Sequence, residues 1–319
     1  MAGKKLIIDA DPGIGDAVTI ALALSDPELD VIAVTATGGT TSGEQSFRNL
    51  QTVVSLLDPG RWPRLGWSSA PRVTVQERPE QTGILQEDRL HGLGDCDLIQ
   101  AIPHAPMDSA KLMVDLVRDN PGEITLLTLG PLTNVELAVD RHPEFLQQLQ
   151  SLVCFGGSWS GTGNATAAAE FNIYADPESA RQVLTSMSTK TLVPFDVGAQ
   201  FGLTFDQYDA LEVDTFSRLG QFLCKSLPFA LRESRNQLGR ESLQLPEVVG
   251  LAAITCSRLF ERQSLHIDVE VAGELTRGMT LFDRRGLVRR HPNIEVLTKV
   301  DAVGVRDYVT RLVRAADTA

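Results

Sequence analysis

The sequence predicts an α/β fold, an open and mostly parallel central sheet flanked by helices, with helical insertions near 72–108 and 200–250. Three observations point to it. Short apolar runs of strand length alternate with amphipathic stretches of helix length. Acidic residues gather immediately after the first apolar run. The 319 residues also contain no internal repeat, low-complexity tract or long linker to divide them, so a single domain over 1–319 is expected.

The elements follow in order. Segments 5–8 and 30–35 read as buried strands with a helix at 15–24 between them. A second helix covers 43–57, and 59–71 is a connection rich in Pro, Gly and Trp. A helix over 109–118, a strand over 123–129 and a helix over 132–139 continue the alternation. The strand 152–155 runs into Gly156-Gly157. Helix 176–185 opens with Asp176 as its cap and Pro177 at the first helical position, where a missing N–H costs nothing. A strand at 191–194 comes next. Beyond it Phe216, Leu219, Phe222, Leu223 and Leu227 recur at helical spacing and read as a core-facing stripe. Segments 266–271 and 279–282 look like a pair of strands, and 301–314 like a closing amphipathic helix.

Composition narrows the function. Hydrophobic residues make up 43% and charged residues 22%, which is ordinary for a globular chain. Against 41 Asp and Glu there are 29 Lys and Arg, a net charge of −12. That balance argues against a nucleic-acid partner, which needs a positive footprint, and suits cation binding. Cys96, Cys154, Cys224 and Cys256 are widely spaced with no CxxC, the pattern of reduced thiols in a cytosolic protein. The five histidines form no HxxxH or HExxH pair, so zinc has little support. The apolar run at 6–8 is too short for a signal peptide, and no stretch nears the roughly 18 residues of a membrane span. A cytoplasmic protein without a membrane partner is expected.

The most informative stretch is Asp9-Ala10-Asp11-Pro12-Gly13-Ile14-Gly15-Asp16-Ala17. Its three carboxylates leave the C-terminal end of the first strand, where open parallel sheets bind ligands. Like charges this close need a cation or shared protons to relieve them. Ca²⁺ and Mg²⁺ take oxygen ligands, and the turn at Pro12-Gly13 could aim Asp11 and Asp16 at one point. Solvated surface acids are the plainer alternative, with Asp16 then only a favourable charge at a helix start. Two chemistries could use a metal here: a Mg²⁺ phosphatase with an Asp nucleophile, or water activation directed at a sugar.

With these residues the sequence resembles the nucleoside hydrolases, the inosine–uridine-preferring N-ribohydrolases, whose signature is an Asp-x-Asp-Pro-Gly-x-Asp-Asp-Ala run. The resemblance extends through Leu129-Gly130-Pro131-Leu132-Thr133-Asn134 and through Asn164, Glu170 and Asn172, followed by Asp176-Pro177-Glu178. It continues to Gly273-Glu274-Leu275-Thr276-Arg277-Gly278 and Asp283-Arg284-Arg285, so it covers nearly the whole chain. It implies a Rossmann-like nucleoside hydrolase fold and Ca²⁺-dependent hydrolysis of nucleosides to base and ribose, as in purine and pyrimidine salvage. It also implies Asp11 as general base on a Ca²⁺-bound water. The metal ligands would be Asp11, Asp16, the Leu129 carbonyl and Glu247. Asn164 and Glu170 would hold the 5′-hydroxyl, and Asn172 the ribose diol. His91 would be a substrate contact in a loop, or else a surface histidine. Asn164 and Asn172 also suit plain turns, and Glu170 a solvated loop. A homo-oligomer, dimer or tetramer, is the family's usual state.

Three departures fall inside the expected site. One Asp of the Asp-Asp pair is Gly15, a His-Asp segment reads Pro246-Glu247, and a Val-Ala-Gly-Asn turn reads Ala36-Thr37-Gly38-Gly39. Glu247 keeps the charge with a reach one methylene longer, and Pro246 cannot protonate a leaving base. Besides hydrolysis, a second reading is therefore a diverged relative that binds a nucleoside or ribosyl ligand with little or altered turnover. The Asp-nucleophile phosphatase is the third.

Overall fold

The computed structural model describes residues 3–69, 92–97, 106–285 and 291–316. The first apolar run forms β1 (Lys4–Ala10), which is buried from Leu6 onward. It leads to α1 (Ile14–Ser25), β2 (Leu29–Ala36) and α2 (Gly43–Leu57), the last capped by Ser42, whose side chain accepts from the Gln45 amide. Next come β3 (Arg64–Trp67), β4 (Met107–Asp108) and α3 (Ser109–Asp119), opened by the Asp108 side chain. Then follow β5 (Ile124–Thr128), α4 (Thr133–Arg141), β6 (Ser151–Phe155), α5 (Phe171–Ala175) and α6 (Pro177–Thr185). As expected, Asp176 caps α6 and Pro177 is its first residue. The strand β7 (Lys190–Val193) and α7 (Phe195–Gly198) precede β8 (Gly202–Thr204), α8 (Phe205–Asp209) and α9 (Arg218–Leu238). The remainder is β9 (Ser242–Gln244), α10 (Pro246–Thr255), β10 (Phe260–Leu265), β11 (Ile267–Val269), β12 (Thr280–Phe282), β13 (Ile294–Val300) and α11 (Ala302–Ala316).

Nine strands form one sheet in the order β10-β13-β7-β6-β5-β1-β2-β3-β4. Every pair is parallel except β10 with β13. Helices cover both faces, so strand residues alternate between two cores. Leu6, Ile8 and Ala10 pack into one with α1, α9 and α10, and Ile7 into the other with α3, α4 and α6. Burial on both sides is why this strand reads as an unbroken apolar run. From β1 the chain builds outward to β2, β3 and β4, then returns to add β5, β6 and β7 on the other side. That reversal leaves a crevice at the carboxyl ends of β1 and β5, the place where such sheets bind ligands.

Some expectations need correction. The connection over 59–71 contains strand β3, and β10 and β13 are missed because β10 (FERQSL) is exposed along its middle and β13 (IEVLTKV) carries charged residues at the sheet's antiparallel margin. Phe216 is not part of the stripe. It precedes the cap Ser217 and is 89% exposed, whereas Leu219, Phe222, Leu223 and Leu227 are buried. Segment 200–250 is not wholly helical, since β8 and β9 pair antiparallel within it. Most of 72–108 lies outside the described residues. The pair of strands expected at 266–271 and 279–282 is the shorter β11 and β12, which pair antiparallel. Among the described residues no helix is long and apolar enough to cross a membrane.

Candidate active site

The crevice is built first from β1 and the turns beside it. Asp9 is fully buried, and its Oδ1 accepts from Thr35 Oγ1 at 2.6 Å and Asn134 Nδ2 at 2.8 Å. Its Oδ2 is buried with no hydrogen-bond partner. Burial pushes the carboxyl up to about 7 against the pull of these two donors, and the charge of Asp11 adds to the rise. Asp9 would be the nucleophile of a phosphatase, but a carboxyl with no exposed surface cannot meet a phosphate ester.

Asp11 stands at the crevice itself. Its Oδ2 accepts from the Thr40 amide at 2.8 Å and the Thr40 hydroxyl at 3.2 Å, and burial pushes it up to about 6. Two backbone turns close on this carboxylate. A Cβ at Gly39 would lie 2.1 Å from Oδ2, and one at Gly130 would lie 2.6 Å from Oδ1. The glycine that replaces an expected Asn at 39 is therefore what lets Asp11 reach Thr40.

The loop from β6 to α5 brings the other predicted residues together. Glu170 caps α5: its Oε1 accepts from the Asn172 amide at 3.0 Å, and its Oε2 from the Gly157 amide at 2.8 Å and the Ile173 amide at 3.3 Å. It is 2% exposed, so it is no solvated loop acid. Burial pushes it up to about 7 against the three amides, and the Asp11 charge adds a smaller push. Asn172 Nδ2 donates to the Leu129 carbonyl at 2.6 Å and to the Phe155 carbonyl at 3.3 Å. Half-buried Asn164 accepts from the Phe171 amide at 2.8 Å.

Asp16 sits in the first turn of α1 and is buried. Glu247 sits in the first turn of α10, half-buried, with its carboxylate directly over Gly15. His91 lies outside the described residues. Three contributors escaped the sequence reading: Thr35, Thr40 and the role of Asn134 as a donor to Asp9. Only Asn134 carried a signal, as the last residue of the Gly-Pro-Leu-Thr-Asn turn.

The donors suit a hard cation. The residues assigned to it are all oxygen donors: the buried carboxylates of Asp11 and Asp16, half-buried Glu247 and the Leu129 carbonyl, with no side chain at Gly39 or Gly130 to cover the Asp11 oxygens. As placed, no three acidic, histidine or cysteine side chains among the described residues are arranged to hold a metal alone. The Leu129 carbonyl would have to complete the set while keeping its bond from Asn172, which its second lone pair allows.

Comparison with known proteins agrees with this geometry. The family described as inosine-uridine preferring nucleoside hydrolase matches residues 6–307. The pyrimidine-specific ribonucleoside hydrolase RihA of Salmonella arizonae is 31% identical over 314 residues, covering 95% of this chain and 96% of that protein. Among solved structures, a plant nucleoside hydrolase, the PpNRh1 enzyme, superposes with a TM-score of 0.87 at 28% identity, covering 98% of this chain and 99% of its own. The purine-preferring ribonucleoside hydrolase from Gardnerella vaginalis gives 0.84 at 25% identity, covering 99% and 100%. The family match and these relatives put the chain among the hydrolases that act on N-glycosyl bonds. The chain belongs to the inosine-uridine preferring nucleoside hydrolase family.

Proposed function

We propose that the protein hydrolyses the N-glycosidic bond of ribonucleosides to free base and ribose, with Asp11 as general base. The observation that carries this is Asp11 itself: buried at the switch point, oriented by the Thr40 amide and hydroxyl, and left room by the glycines at 39 and 130. A carboxylate held in one orientation beside the reacting centre is placed to take a proton from water. In the reaction, Asp11 removes a proton from water as the water oxygen bonds to the anomeric carbon. The carbon–nitrogen bond breaks, its electron pair leaves with the base, and the base anion takes its proton from solvent. Positive charge builds on the ribose as that bond lengthens. The carboxylates of Asp11, Asp16 and Glu247 face that charge in a site of low dielectric, where their field acts strongly.

Asn164 keeps its Nδ2 for a sugar hydroxyl because only its Oδ1 is engaged by the Phe171 amide. With Glu170 it is assigned to the 5′-hydroxyl, and Asn172 to the diol. Pro246, buried at the start of α10, offers no proton, so base departure relies on ribose-side stabilisation. A hard divalent cation, which we assign as Ca²⁺, would be held by Asp11, Asp16, Glu247 and the Leu129 carbonyl. When bound, it supplies charge that favours deprotonation of water and fixes the sugar hydroxyls. On this reading the protein is one catalytic domain over 1–319, a homo-oligomer (dimer or tetramer) and cytoplasmic. Its four unpaired thiols are consistent with a reducing compartment.

The test is release of reducing sugar from purine and pyrimidine ribonucleosides and deoxynucleosides, with Ca²⁺ and with chelator. Chelator-sensitive release is expected. No release at high enzyme from any of them would overturn the proposal and favour the ligand-binding relative.

A further inference from the structure

Two departures from the family pattern, Gly15 and Glu247, meet in space. They lie on different helices 232 positions apart, but a Cβ built at Gly15 would be 2.3 Å from Glu247 Oε2, 2.6 Å from its Cδ and 3.0 Å from its Oε1. Non-bonded carbon and oxygen do not come this close, so with any side chain at 15 the Glu247 carboxylate would have to leave its place. The Glu247 carboxylate thus occupies the volume that any side chain at 15 would claim.

The arrangement is fixed from both ends. Gly15 is within the first turn of α1, where the helix ladder holds its backbone, and the Thr19 hydroxyl donates to its carbonyl at 2.8 Å. Pro246 starts α10 and packs on α7, where a Cβ at Gly198 would lie 2.9 Å from the Pro246 Cβ. A larger residue at 15 is therefore relieved by turning the half-buried Glu247 side chain away, not by moving either helix terminus. The reach also matches: Glu extends one methylene beyond Asp, the extra length needed to lay a carboxylate across a neighbouring helix turn.

We propose that Gly15 is a positioning residue whose missing side chain seats the Glu247 carboxylate against the α1 turn that carries Asp16. One acid on α10 thereby serves the cation-binding and sugar-facing end of the crevice. This rests on the ribohydrolase reading above. A glycine at 15 is then not a loss of function but half of an interdependent pair, and installing Asp at 15 alone would expel Glu247 rather than restore an acid.

The test uses the full-length protein as wild type, Gly15→Ala, Glu247→Ala and the double variant. Ca²⁺ affinity is measured by calorimetry, and kcat and KM on a ribonucleoside that the wild type cleaves. Gly15→Ala is expected to weaken Ca²⁺ binding about tenfold or more, the usual effect of disturbing a residue that orients a ligand, and to raise KM. The double variant should be no worse than Glu247→Ala alone, because neighbours that act together are non-additive. Gly15→Asp in the Glu247→Ala background should recover part of the Ca²⁺ affinity. If Gly15→Ala lowers the melting temperature, removing the Glu247 carboxylate should restore it, and the Ca²⁺ comparison between the double variant and Glu247→Ala still decides. Wild-type affinity and KM in Gly15→Ala, or additive losses in the double variant, would overturn the inference. A wild type that neither binds Ca²⁺ nor cleaves any nucleoside would instead overturn the ribohydrolase reading and the inference with it.

Discussion

Asp9 allows a prediction worked through from structure to assay. Its carboxyl has no exposed surface, one oxygen tied to Thr35 and Asn134, and one with no partner. Burial pushes it from 3.8 up to about 7. Because the folded value is the higher one, the protonated acid favours the fold. That contribution is full below about pH 4 and is lost as pH rises through about 7. A rise of about three units at roughly 1.4 kcal/mol each gives on the order of 3–4 kcal/mol of stability lost across this window. Asp9→Asn keeps an oxygen for Thr35 and Asn134 and carries no charge, so it removes this dependence. The assay is urea unfolding of wild type and variant in chelator, at pH 4.5 and pH 8. Relative to wild type, Asp9→Asn should gain a few kcal/mol between the two conditions. A wild-type-minus-variant difference that does not change with pH would refute the reasoning.

Other outcomes follow from single contacts. Gly39→Ala should place its methyl on Asp11 Oδ2, turn that carboxylate from Thr40, and lower kcat/KM by about tenfold or more while leaving the melting temperature within a few degrees. Lys190 is buried, and its Nζ donates to the Ser186 carbonyl and, at 3.3 Å each, to the Ser186 and Ser188 hydroxyls. Burial pushes it down to about 8, so the cost of its charge is full below pH 8 and fades as pH rises toward 10.5. Lys190→Met should therefore compare better with wild type at pH 7 than at pH 10 in urea unfolding, by about 2–3 kcal/mol. Tyr308→Phe removes the 2.7 Å hydrogen bond to buried Asp26, and chemical unfolding should show a loss of about 1–3 kcal/mol with hydrolysis rates unchanged.

Much of this was legible in the chain because local chemistry decides it. The cap-and-proline start at Asp176-Pro177 predicted α6, and the apolar run at 6–8 predicted the central strand, since a strand covered on both faces needs an unbroken apolar stretch. The crevice acids were visible for a related reason, because turn residues and carboxylates stand next to one another in sequence there. What escaped depends on contacts between distant segments. Thr35 and Asn134 look like ordinary strand and turn residues until the fold sets both on Asp9, 26 and 125 positions away. Gly15 and Gly39 read as lost side chains, and only packing reveals that Glu247 and Asp11 occupy the space. Phe216 matched the helical period but fell one residue before the cap, where the period no longer applies.

The most direct measurement compares base release by wild type and Asp11→Asn from the same ribonucleoside at saturating Ca²⁺. If Asp11 is the general base at the switch point, the variant should retain its fold by circular dichroism and lose about 10²–10⁴-fold in kcat. A variant that turns over at the wild-type rate would show that the proton is taken elsewhere and that the Asp11 crevice is not where the chemistry occurs.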